Sequence, residues 1–168
     1  TTANISGVTN LDLTNNGSGL NIADLTGIED FNSLYMLFCS SNQLTSLDIS
    51  NNVNISYLLC AYNQLTSLDV SQNVNLINFQ CRSNQLSSLD VSQNTVLHTL
   101  DCGHNQISNL DVSQNNLSYL HCNDNQLTTL DVIQNSNLYD LDCSNNQLIS
   151  LDVRNGNDIN FVSFAATG

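Results

Sequence analysis

The sequence has no proline, no tryptophan and no lysine, and its acids are aspartates except for Glu29. Only Arg82 and Arg154 carry fixed positive charge against fifteen acids, for a formal net charge of −13. Two guanidiniums cannot supply a phosphate-binding footprint, so nucleic acid is excluded as a main partner. An anionic membrane surface is disfavoured on the same ground. No apolar run approaches the ~20 residues that span a bilayer, so membrane insertion is excluded as well. There is no C-x-x-C pair, phosphate loop, nucleophile elbow or paired-carboxylate cleft, which argues against an enzyme and against a resident cofactor. The 168 residues fit a single domain, and a 40% hydrophobic content suffices for a core. Such a narrow residue vocabulary points to one short unit copied many times. The opening at Thr1, with no initiator methionine or leader, leads us to expect a segment of a longer protein with flanking domains.

What is present is periodic. Six cysteines stand at 39, 60, 81, 102, 122 and 143, spaced by 21 residues or, once, 20. Each is followed three residues later by Asn42, Asn63, Asn84, Asn105, Asn125 or Asn146. A leucine or isoleucine at 34, 55, 76, 97, 117 and 138 opens each unit, giving L-x-x-L-x-C-x-x-N-Q-L, the leucine-rich-repeat template. The same nine-position pattern recurs half a turn later, from Leu44-x-x-Leu47-x-Ile49-x-x-Asn52 through Leu127 to Asn135. At Leu148 it decays, with Gly156 at the asparagine position. Each coil thus has two short extended segments with Leu, Cys or Val inward and polar residues outward. The expected fold is a β-rich solenoid of leucine-rich repeats of about 21 residues, with two parallel β-faces and little helix.

The ends depart from this rule. Val8-x-x-Leu11-x-Leu13-x-x-Asn16 reads as a first strand, after which Ile22, Leu25, Ile28, Phe31, Leu34 and Leu37 recur every three residues, a period suited to 3₁₀ turns. Ile159-x-x-Val162-x-Phe164 reads as an eighth strand with Phe164 in the cysteine column. The expected divisions are 1–33, an atypical N-terminal repeat or cap; 34–156, the regular repeats; and 157–168, the start of a truncated terminal repeat that needs a cap beyond it.

The run LFCSSNQLTSLDISNN and its copies resemble the secreted leucine-rich-repeat proteins of Bacteroidetes, marine flavobacteria in particular. The stretch ADLTGIEDFNSL is similar to the internalin-type repeat that opens such arrays. The resemblance runs from residue 8 to 164. It implies an extracellular or surface-attached multidomain protein with no catalytic residues.

Several columns carry chemistry. Every cysteine holds the same inward position on parallel strands, so bridging would turn side chains away from the core they fill. Free, buried thiols are expected. The two asparagine columns are read as structural, each amide satisfying backbone groups of its own and the neighbouring coil. Asp48, Asp69, Asp90, Asp111, Asp131 and Asp152 form a ladder on the second face. Like charges ~5 Å apart repel by roughly 1 kcal/mol in water, so something must offset them. Hydrogen bonds from Ser and Thr, diffuse salt and bound Ca²⁺ are the alternatives, and several oxygens per ion is more than one flat column supplies.

Variation concentrates on the first face. One outward row reads Met36, Tyr57, Asn78, Thr99, Tyr119, Asp140 and Phe161; the next reads Phe38, Leu59, Gln80, Asp101, His121, Asp142 and Ser163. Met36, Phe38, Tyr57, Leu59 and Tyr62 form an apolar and aromatic patch, read either as a ligand contact or as a surface covered by a neighbouring domain. Arg82, Asp101, His104, His121 and Asp142 form a polar patch near His98 and Asp124, with Asp101, His121 and Asp142 consecutive in one row. Polar ligand recognition and plain solvated surface are both open there, while a flat strand lacks the shielding of catalysis and the convergence of a zinc site. The expectation is a non-catalytic extracellular binding module that takes a protein or polysaccharide on its variable, concave face. The alternative is a structural spacer or adhesin stalk, cation-loaded on the aspartate ladder.

Overall fold

Three inward residues per half-turn, at spacings of three and two, decide the path of the chain. In the first full coil Leu34, Leu37 and Cys39 point inward on one side, and Leu44, Leu47 and Ile49 point inward on the other. The computed structural model describes residues 5–17, 19–154 and 163–165. Its strands are three residues each: β1 Asn10–Asp12, β2 Met36–Phe38, β3 Tyr57–Leu59, β4 Asn78–Gln80 and β5 Thr99–Asp101. They continue as β6 Tyr119–His121, β7 Thr129–Asp131, β8 Asp140–Asp142, β9 Ser150–Asp152 and β10 Ser163–Ala165. Eight of them form one parallel sheet in the order β1-β2-β3-β4-β5-β6-β8-β10, hereafter the first face. The one helical element among the described residues is a 3₁₀ turn at Ile28–Asp30, inside the segment of three-residue period. No helix there is long and apolar enough to cross a membrane.

The central position of β2, β3, β4, β5, β6 and β8 is buried: Leu37, Leu58, Phe79, Leu100, Leu120 and Leu141 are fully enclosed, and the neighbouring cysteines are free and buried with them. Losing water from this apolar stack is the main favourable term. It also pushes thiol ionisation up, to about 12 for Cys39 and about 11 for Cys143, so these groups stay neutral.

Asparagines join the coils. Asn63 Nδ2 donates to Cys39 O and Cys60 O, and its Oδ1 accepts the Leu44 N–H at 3.0 Å. Asn84 repeats this on Cys60 O, Cys81 O and the Leu65 N–H. The second column also satisfies backbone carbonyls, as expected, but works through its donors. Asn73 and Asn94 donate to two carbonyls each, but the buried Oδ1 atoms of Asn52, Asn73, Asn94 and Asn115 accept no hydrogen bond.

Among the described residues the second face pairs as a sheet only over β7 and β9. Between the earlier coils, shallow grooves open instead: one of about 250 Å³ is bordered by Ser46, Asp48, Ser67 and Asp69. The inward leucines there report the spacing. Leu47 and Leu68 are 9% exposed, Leu89 7%, Leu110 5%, and Leu130, in β7, 3%. Ladder bonds need strands ~4.8 Å apart. The first-face strands pair from coil to coil, whereas the inward leucines of the second face grow less exposed toward β7, where its ladder forms.

The last strand departs from the expected register. Phe164 aligns with Leu141 rather than with Cys143, and Ser163 aligns with Asp140 rather than Asp142. Phe164 therefore stands in the leucine column, two places from the cysteine column assigned to it from spacing. Gly156, Ile159, Phe161 and Val162, and most of the segment 157–168, lie outside the described residues.

Candidate functional site

Alternation along three-residue strands leaves two outward positions per coil, and parallel register stacks them into two rows. The first row runs Met36, Tyr57, Asn78, Thr99, Tyr119 and Asp140; the second runs Phe38, Leu59, Gln80, Asp101, His121 and Asp142. Flanking buried leucines fix each backbone position, so the side chains stand on a rigid floor.

Four residues of the apolar patch are register neighbours on β2 and β3. Met36 registers with Tyr57, and Phe38 with Leu59, all half-buried. Tyr35, which spacing alone did not single out, packs edge to face on Tyr57 with ring centroids 5.5 Å apart. Tyr62 stands 55% exposed on the turn that leaves β3, at φ 56. This position is left-handed in every regular coil: Ser41, Tyr62, Ser83, His104, Asp124 and Asn145. A left-handed conformation costs roughly 1–2 kcal/mol for most residues and least for Gly, Asn and Asp. A tyrosine and a histidine held there place bulky side chains at the border of the face despite that strain.

The polar patch also assembles, with a different wiring. Asp101, His121 and Asp142 are consecutive register partners, as the row predicts. His121, however, pairs diagonally: its Nε2 lies 3.2 Å from Asp140 Oδ1, and its Nδ1 lies 2.6 Å from the Tyr119 hydroxyl. The Tyr119 and His121 rings lie 4.0 Å apart. Burial first, and then the charges of Asp101 and Asp140, push the Tyr119 hydroxyl up to about 12. It therefore stays protonated, and the imidazole is held between this hydroxyl and the Asp140 carboxylate. Asp140 and Tyr119 belong to the varying row, but only the diagonal contact reveals their roles.

Arg82 lies on the turn after β4, its Nη1 3.9 Å from Asp101 Oδ1 and 3.5 Å from Asn123 Oδ1, two coils away. That reach passes over Gly103, where a Cβ would meet Asn123 Oδ1 at 2.5 Å. Asn123 in turn donates to Asp124 Oδ2, which lies 3.3 Å from His104 Nε2, while Asp124 Oδ1 accepts from Asn145. Asn123 was not expected, because its contact depends on a side chain missing from the coil between. His98 stands apart, its Nδ1 2.7 Å from Val96 O.

On the second face each aspartate is turned back on its own chain. Asp48, Asp69, Asp90 and Asp111 accept the N–H of Ser50, Ser71, Ser92 and Ser113 through Oδ1, and Asp131 accepts that of Ile133. These bonds hold the Asp48, Asp69, Asp90 and Asp111 carboxyls below the usual carboxylate range, Ser50's hydroxyl leading at Asp48 and serine backbone N–H groups at the others. Arg154 does the same for Asp152, down to about 2. Serine hydrogen bonds are thus one of the offsets to ladder repulsion that the sequence leaves open.

Solved structures of similar fold include bacterial leucine-rich-repeat proteins. The functional domain of InlJ from Listeria monocytogenes, which includes a cysteine ladder, is 37% identical over 89% of this chain and 42% of its own, with a TM-score of 0.55. A leucine-rich-repeat protein of Leptospira interrogans is 30% identical over 87% of this chain and 40% of its own, at 0.77. Internalin C2 of Listeria monocytogenes, 21% identical over 96% of this chain and 82% of its own at 0.75, shows the fold alone. The chain spans about two fifths of the length of the first two. No protein-family profile and no curated protein matches it.

Proposed function

We propose that this leucine-rich-repeat solenoid is a non-catalytic interaction module that takes a partner protein on its first face, outside the cell or on its surface. One observation carries the reading. The inward positions and the cysteine and asparagine columns repeat from coil to coil, whereas the two outward rows of the first face change at nearly every step. On those rows an aromatic patch and a linked polar patch occupy one continuous sheet. A partner gains apolar area at one end, at about 25 cal/mol per Å² buried, and hydrogen-bonding groups already held in place at the other. The polar groups share an open sheet with no enclosing cleft, which favours recognition over chemistry. The resemblance to secreted repeat proteins supports the extracellular setting.

The experiment is a binding screen of the purified chain against surface proteins and polysaccharides, repeated with Tyr57→Ser/Tyr62→Ser. A protein hit weakened at least tenfold by the double change, with an unchanged melting temperature, supports the reading. A hit that tolerates the change contradicts it. A spacer predicts silence throughout and tolerance of altered repeat number.

A further inference from the structure

The first face is polarised along the solenoid axis. β2 and β3 present Met36, Phe38, Tyr57 and Leu59; β4 presents Asn78 and Gln80, whose amides bond each other at 3.1 Å; β5, β6 and β8 present Asp101, His121, Asp140 and Asp142. The face therefore passes from apolar through neutral to acidic. Four inter-strand steps of ~4.8 Å put Tyr57 about 19 Å from Asp140.

The acidic end has unused acceptors. Asp140 engages His121 through Oδ1, Asp142 Oδ1 takes both the N–H and the hydroxyl of Ser144, and Asp101 Oδ1 takes the Gly103 N–H and faces Arg82. Among the described residues no hydrogen bond or ion pair engages the Oδ2 atom of any of the three. Asp101 and Asp140 are only 16% and 22% exposed, so charge presented to them is poorly screened. Arg82 is the one fixed cation there against these three carboxylates and Asp124, since Arg154 is bound to Asp152 on the second face.

We propose, resting on the reading that this face binds a protein, that its partner presents an extended basic segment. An aromatic or aliphatic side chain lies on Tyr57 and Leu59, and Lys or Arg side chains about six residues further along meet Asp101, Asp140 and Asp142. At 3.3–3.6 Å per residue, about six residues cover 19 Å. Ammonium or guanidinium groups complete charge-assisted bonds to the open Oδ2 atoms, and the net charge of −13 speeds their approach. A neutral glycan would make no use of this charge, and an acidic one would be repelled by it.

The test selects a phage-displayed library of random 12-residue peptides on the intact chain, then measures synthetic copies of the winners by fluorescence anisotropy. Laminarin and alginate serve as polysaccharide probes. The expected result is peptides with an apolar residue and a Lys/Arg cluster about six residues apart. Their affinity falls at least tenfold with Asp140→Asn/Asp142→Asn, and at least tenfold on the unmodified chain between 50 and 500 mM NaCl. The salt series keeps the test decisive if the variant folds poorly. Ligands without basic residues, or either polysaccharide, that bind through Tyr57 and Tyr62 but ignore salt and the Asp changes overturn this inference and leave the first face as the binding surface. Peptides indifferent to every first-face change overturn both readings. Failure to enrich any peptide overturns the proposal.

Discussion

Asn123 occupies the space that a side chain on Gly103 would need: a Cβ there would stand 2.5 Å from Asn123 Oδ1 and 3.3 Å from Asn123 O. The vacancy lets the buried Asn123 amide lean across one coil toward Arg82 while bonding Asp124. Gly103→Ala is therefore expected to swing Asn123 aside and detach Arg82 from it. The loss of one or two hydrogen bonds amounts to about 1 kcal/mol, or roughly 2–4 °C in melting temperature for a chain of this size. Calorimetry checks it. An unchanged melting temperature would show that the notch does not hold Asn123.

The two asparagine columns are expected to differ in weight. Asn84 supplies an acceptor to the Leu65 N–H as well as donors to two carbonyls, whereas the Oδ1 of Asn94 has no donor. Asn84→Ala strands a buried N–H that Asn94→Ala does not, a difference of about 1–3 kcal/mol. Urea unfolding of the two variants measures it. Equal losses would contradict the account of which amide joins the coils.

Tyr62 sets stability against recognition. Tyr62→Asn relieves a left-handed tyrosine, which is expected to add about 1 kcal/mol, while removing a ring from the edge of the aromatic patch. The variant will melt higher and bind the partner less well. If it melts lower, Tyr62 is there for packing.

Stability will fall at both extremes of pH. The thiols ionise less readily in the folded chain than in the unfolded one, where the ordinary value is 9.0, so their contribution is full below pH 9 and is lost as pH rises above it. The carboxyls of Asp48, Asp69, Asp90, Asp111 and Asp152 have the opposite sign. Held below their ordinary 3.8, they contribute above about pH 4 and lose that contribution as pH falls toward 2, where Asp152 titrates. A melting-temperature profile from pH 2 to 11 tests this. No decline above pH 9 would mean that the cysteine column is not buried.

The coil could be read from the sequence because inward positions repeat: Leu37 and Cys39 have counterparts in each regular coil, and each lands on the same buried site, with the Asn42 column buried or half-buried beside them. Site membership by row was equally legible, down to the register of Asp101, His121 and Asp142. Side-chain choice within the rows was not. A period specifies neighbours across strands, but His121 takes the diagonal Asp140, which ring geometry and the stacked Tyr119 decide. The Asn123 contact was invisible because its cause is an absent side chain at Gly103. Incomplete pairing of the second face was missed for a different reason. Each single repeat there reads as a strand, and whether neighbouring coils close a ladder is not written in the pattern of one repeat.

The central claim is that recognition belongs to the first face alone, and paired variants of the two faces test it most directly. The best protein ligand from the screen is titrated against Tyr57→Ser/Tyr62→Ser on the first face and Asp69→Asn/Asp90→Asn on the second, by calorimetry at matched salt. The account predicts at least a tenfold loss for the first variant and no change for the second. Equal losses, or a loss confined to the ladder variant, would contradict it and move the interaction to the aspartate column.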